Sequence, residues 1–324
     1  MSVLRRRLSA FSDRARTHFR RVAAGARQRP ERVGAALLAL AVGALVYYLA
    51  IDLFPYHSVN DDEGVYLYQA AMLLEGRLFL RPGDIPWEAV RPWFFVVEGA
   101  GDPGEPVRMY GKYSPVAPAI FAVGRLLGDW NLAPALVGAG IAAGVYALGS
   151  AAFDRRVGLL AMPALAGAPL FLFTTPTFLS YAPATLLNVA FAVAYVRAAR
   201  TGSPRWGVGA GVAIGLAFFC RPYTAVLFAL PFIAHTLFSL AISWRRSGWI
   251  LRPSAWDRRD RSVLVRSLAI AIPGIAFVGL AVAYNAVVTG DPLMFPYAAF
   301  APNDGPGFGT REILNYERAY TPAL

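Results

Sequence analysis

Apolar runs about as long as a bilayer is thick, repeated along one chain and separated by short charged loops, leave few folds open. With no water to satisfy backbone N–H and C=O groups in lipid, such runs must be helices. This sequence has them at 33–54, 132–153, 157–174, 178–198, 206–220, 223–243 and 267–288. They predict an all-α polytopic membrane protein with about seven transmembrane helices. A further apolar run, 115–128, is too brief for an ordinary span and contains Arg125, so it predicts a re-entrant or interfacial helix. Glycines inside the runs, at 138, 140 and 144 and at 207, 209 and 211, read as small-residue faces for close helix packing.

Charge supports the membrane reading. Apolar residues make up 56% of the chain and mean hydropathy is +0.45, while charges are confined to a few loops. The net charge of +11 invites nucleic acid as a partner, but the arginines cluster beside apolar runs, and a positive-inside topology accounts for them without it. Residues 1–32 are arginine-rich and nearly acid-free. A mitochondrial transit peptide has that composition, and so does the cytoplasmic flank of a signal anchor; the full-length run that follows favours the flank. If 115–128 does not cross, 22 of the 31 basic residues fall on the N-terminal side. The expected organisation is a cytoplasmic basic segment 1–32, a transmembrane domain 33–288 whose external loop 55–131 carries the acidic motif, and an external polar tail 289–324. Cys220 is the only cysteine and the three histidines are scattered, so no zinc-ligand pattern is present.

The external loop opens on Asn60-Asp61-Asp62-Glu63-Gly64-Val65-Tyr66, three consecutive carboxylates at the head of a short amphipathic helix expected over 62–75. In one reading Asn60 caps that helix, Glu63 completes a capping-box pair and the acids favour the helix dipole. In the other, Asp62 is a catalytic base held at the membrane surface. Two basic residues stand out beside it. Lys112 is the only lysine, and Arg221 interrupts an apolar run at membrane depth, where charge is costly unless it is used or paired. Arg125 follows the same logic more weakly, and His57 lies near the acids with no partner of defined spacing. Trp87 and Trp93-Phe94-Phe95 suit surface anchoring better than sugar stacking.

Asp62-Glu63-x-x-Tyr66 after a first transmembrane helix resembles the Asp-Glu motif of GT-C glycosyltransferases, the polytopic enzymes that include protein O-mannosyltransferases and lipid A aminoarabinose transferases. Gly111-Lys112-Tyr113-Ser114-Pro115 stands where that family has a Tyr-Pro-Pro-like turn, and Gly215-Leu216-Ala217 with Arg221-Pro222 is similar to its Gly-Leu-Ala and Lys/Arg-Pro segment. The resemblance implies a GT-C-like fold in the cell membrane with external interfacial helices. It implies a polyprenyl-phosphate sugar donor and a lipid, glycan or protein acceptor, with no nucleic acid. Asp62 is then the general base and Glu63 orients it or touches the acceptor. Lys112 and Arg221 stabilise the leaving phosphate, and Asp61, Tyr66 and Tyr113 become substrate contacts. No cofactor follows from the motifs, although the family leaves room for a divalent metal.

Two departures bear on this. Many relatives carry a second acid before the fourth span, whereas here that connection reads Thr175-Pro176-Thr177-Phe178-Leu179-Ser180-Tyr181. Relatives also continue beyond about seven spans, so a truncated member is expected. The alternatives are an inactive fragment or a non-catalytic membrane protein, such as a lipid-linked sugar flippase or an assembly partner. A transporter, however, should carry ionisable residues inside several spans, and here the acids avoid them.

Overall fold

The computed structural model describes residues 30–55, 61–80, 95–98, 107–247, 257–305, 307–313 and 316–322. Five helices are long and apolar enough to cross a membrane: α1 (Pro30–Asp52), α4 (Leu132–Ala152), α7 (Tyr181–Thr201), α9 (Pro222–Arg246) and α10 (Arg258–Thr289). Between and beside them lie α2 (Asp62–Leu74), α3 (Val116–Leu126), α5 (Arg155–Ala166), α6 (Pro169–Thr174), α8 (Pro204–Cys220) and α11 (Pro296–Phe300). Two antiparallel hairpins complete the described elements, β1 (Phe95–Glu98) with β2 (Arg108–Gly111) and β3 (Gly309–Ile313) with β4 (Tyr316–Tyr320).

Each expected run is helical, with local differences. The run at 157–174 is not one helix. Pro169 lacks an N–H and bars Ala168 from helical backbone (φ −75°, ψ 121°), so α5 ends and α6 begins there. The 17-residue α8 is shorter than the five candidate spans. The last long helix starts inside the expected basic loop, where the Asp257 side chain accepts the Asp260 N–H and caps it. The tail after 289 is not merely turns, since it forms α11 and the β3–β4 hairpin. Asp154 caps α5 by accepting from Arg156 N at 2.7 Å and Val157 N at 2.9 Å.

Helix packing follows small residues. α1 packs on α4, α4 on α5 and α7, and α8 lies between α7 and α10. The tightest seam runs along Gly207, Gly211 and Gly215 of α8. A side chain at these positions would meet Ala269, the Ile270 carbonyl and Pro273, and Phe277 of α10. Gly211 thus holds the seam as expected, but Gly209 does not, having only Ala194 near it at ordinary contact distance. The stripe recurs every four residues because that spacing keeps one helix face.

Two ends of the bundle can be told apart. At one, Arg155 lies 3.6 Å from Glu31, Arg266 donates to the Ala199 carbonyl, and Gly202 abuts Ser262. At the other end α2, β2 and α3 gather with the start of α7, the α8–α9 joint and α11.

Candidate functional site

Helix α2 organises the site because its faces carry different groups. Its N-cap is Asp61, which makes no side-chain capping bond and is exposed; Asn60 lies outside the described residues. The capping-box role expected of Glu63 is not what the structure has. Glu63 is fully buried, and its Oε2 accepts the Phe178 N–H at 2.8 Å, 115 positions along the chain.

Asp62 points elsewhere. Its Oδ1 lies 2.8 Å from Lys112 Nζ, and its charge bears on the Tyr113 hydroxyl. The Lys112 side chain is only 8% exposed and that of Asp62 26%, so the pair is shielded but open on the carboxylate side. The Lys112 ammonium also sits 5.3 Å from the Tyr113 ring centroid and 4.5 Å from that of Phe300 in α11.

Residues 111–113 are held against α2 by Gln69, seven residues after Asp62 and on the same helix face. Gln69 Nε2 donates to the Tyr113 carbonyl at 2.7 Å. Gly111 permits the approach, because any side chain there would run into Gln69. Tyr66 then stacks on Tyr113 with centroids 4.3 Å apart and planes 7° from parallel, and Tyr113 continues the stack to Tyr297. Burial, chiefly, pushes the Tyr66 and Tyr113 hydroxyls far above the ordinary tyrosine range, with the Asp62 charge adding to it. Both therefore stay protonated and serve as donors.

Arg221 enters through Ser180. It is the single residue between α8 and α9, with non-helical backbone (φ −148°, ψ 87°), and Pro222 starts the next helix. Its Nη1 donates to Ser180 Oγ at 3.3 Å, and its guanidinium lies 4.1 Å from the centroid of the Tyr181 ring. The Tyr66 hydroxyl donates to the same Ser180 Oγ at 2.9 Å. Asp62, Lys112 and Arg221 are thus linked through Tyr113, Tyr66 and Ser180.

Of the sequence-predicted residues, Asp62, Glu63, Tyr66, Lys112, Tyr113 and Arg221 come together. Asp61 and Arg125 are exposed and take no part in these contacts, and Cys220 is buried beside Arg221. Tyr68 is half exposed and meets Phe95 edge-on. His57, Trp87, Trp93 and Phe94 lie outside the described residues. Sequence reasoning missed Gln69, Ser180, Tyr297 and Phe300. Gln69 was accessible from its helical spacing to Asp62, whereas nothing local marked Tyr297 or Phe300. Among the described residues, no group of three or more His, Cys, Asp or Glu is gathered so as to hold a metal ion.

Residues 114–257 match the family model of dolichyl-phosphate-mannose-protein mannosyltransferases. Over that stretch, less than half of the chain, it is similar to that family. The matched stretch contains Ser180, Tyr181 and Arg221, while Asp62 and Lys112 lie N-terminal to it and are brought to it by α2. Five helices long and apolar enough to cross a membrane, together with that similarity, read as a multi-pass membrane protein. No curated protein matches the chain. Among solved structures it is similar to the oligosaccharyltransferase of Archaeoglobus fulgidus in its apo form, at 17% identity and a TM-score of 0.49. That similarity covers 82% of this chain and 32% of the archaeal one, so this chain spans about a third of that length.

Proposed function

We propose that this protein is a membrane glycosyltransferase that moves a sugar from a polyprenyl-phosphate donor to an acceptor hydroxyl on the external membrane face. The observation that carries the reading is the Asp62–Lys112 pair, joined through Tyr113, Tyr66 and Ser180 to Arg221. It sets one carboxylate among two cations and an aromatic stack, at the end of the bundle away from the basic loops. The GT-C match supplies the reaction class.

Asp62 is the general base. The acceptor oxygen attacks the anomeric carbon and forms the new glycosidic bond, and its proton passes to Asp62. The bond between the anomeric carbon and the phosphate oxygen breaks, and the lipid phosphate departs with the electron pair. Lys112 and Arg221 offset the charge that grows on that phosphate. Lys112 is a compact ammonium on a flexible stem that can turn from Asp62 toward an arriving anion. Tyr297 and Phe300 offer aromatic faces to a sugar ring. The acceptor is a lipid, glycan or protein hydroxyl. The N-terminus is cytoplasmic, and 55–131 and 289–324 are external.

A photoreactive polyprenyl phosphate tests the donor site. Crosslinks are expected on 107–113, 180–181 and the Arg221 joint. Labels confined to 244–247 and 257–266, at the opposite end, would refute the placement.

A further inference from the structure

Two rungs connect α2 to residues 175–180. Glu63 Oε2 accepts the Phe178 N–H at 2.8 Å, and one turn later the Tyr66 hydroxyl donates to Ser180 Oγ at 2.9 Å. Positions 63 and 66 share a helix face, and both of their partners lie in the same short connection. The first rung is entirely dry: Glu63 and Phe178 are both at 0% exposure, and the Phe178 ring packs edge-on against Phe121 at 5.2 Å. Glu63 Oε1 is buried with no hydrogen-bond partner among the described residues, so the Phe178 amide is the contact that fixes this carboxylate. The far side of the second rung is Arg221, held by the same Ser180 hydroxyl and by the adjacent Tyr181 ring.

We infer that Glu63 is a positioning residue: it fastens the 175–180 connection to α2 and thereby sets Ser180 and Arg221 in place beside Asp62. The neighbouring acids of one motif therefore have separate tasks, Asp62 facing Lys112 and Glu63 facing backbone. In this connection, which carries no acid of its own, the carboxylate arrives from α2. The inference rests on the proposed donor role of Arg221, but the rung itself does not.

The test compares wild type, Glu63→Gln and Glu63→Ala in detergent, by hydrogen exchange of the peptide spanning 175–180 and by binding of a polyprenyl phosphate. A glutamine oxygen still accepts the Phe178 N–H, so Glu63→Gln should stay within about twofold of wild type in both. Glu63→Ala removes a buried acceptor and should speed exchange about tenfold and weaken lipid binding about fivefold. Unchanged exchange in Glu63→Ala overturns the fastening. Loss of lipid binding in Glu63→Gln also overturns it, because charge rather than the backbone bond then matters, and this outcome decides the question if the alanine variant does not fold. If wild type itself binds no polyprenyl phosphate, the donor reading fails separately and the exchange data alone judge the rung.

Discussion

Lys112 Nζ stands 2.8 Å from Asp62 Oδ1, and this contact joins the turn after β2 to the first turn of α2. The lysine is nearly buried, so this contact is shielded from solvent on its side. Breaking a shielded pair from one side leaves an uncompensated charge, at a cost on the order of 3 kcal/mol.

Lys112→Gln should therefore lower both thermal stability and transfer. Combining it with Asp62→Asn should lower stability by less than the sum of the single changes, with a coupling of about 1–3 kcal/mol. Thermal unfolding of the four proteins in detergent measures the cycle. Strict additivity would mean that the pair does not exist in solution. Lys112→Arg should fail to restore transfer, because the larger planar guanidinium differs in shape from the compact ammonium that this nearly buried position holds.

The α8–α10 seam gives a fold prediction free of any functional assumption. Gly211→Val should separate the helices, since the added side chain meets the Ile270 carbonyl and Pro273. The expected destabilisation is about 1–3 kcal/mol or more. Gly209→Val, on the open side of the same helix, should be tolerated within about 0.5 kcal/mol. Equal effects at the two positions would contradict the packing.

Much of this architecture is legible in the sequence, because lipid forces an apolar run to be a helix whatever its neighbours. The site was legible where residues were chemically odd: a carboxylate cluster, a lone lysine, an arginine inside an apolar run. What the sequence hid was direction. Glu63 fits a capping pattern three residues after Asn60, yet its carboxylate serves Phe178, and helical spacing cannot reveal a partner 115 positions away. The break at Ala168 was marked by Pro169, but the unbroken hydropathy across it outweighed that signal. Phe300 meets Lys112 only because α10 returns the chain to the same end of the bundle.

Alkaline pH probes the stack. Burial above all raises the Tyr66 and Tyr113 hydroxyls above their ordinary value of about 10. A group whose folded value is raised contributes stability that is fully present below the unfolded value and lost as pH rises above it. The tyrosine contribution should therefore leave the unfolding temperature flat from about pH 7 to 9 and lower it above about pH 10. Tyr66→Phe should lessen that alkaline slope. A slope of the same size in Tyr66→Phe would show that the phenol is not buried.

Reporter fusions test the sidedness. A fusion after Arg156 should report the cytoplasm and one after Thr289 the exterior, because the short basic loops prefer the cytoplasmic side. The reverse pair would put Asp62, Lys112 and Arg221 on the cytoplasmic face.

The central claim is that Asp62 takes the proton of the acceptor hydroxyl. Its most direct test is sugar transfer from a polyprenyl-phosphate donor by membranes carrying Asp62→Asn, with protein level and donor binding measured alongside. The substitution keeps the shape of the side chain and removes the base, so transfer should fall on the order of a hundredfold or more while donor binding persists. Asp61→Asn, exposed and outside the cluster, should stay close to wild type. Full transfer by Asp62→Asn at normal protein level would contradict the account.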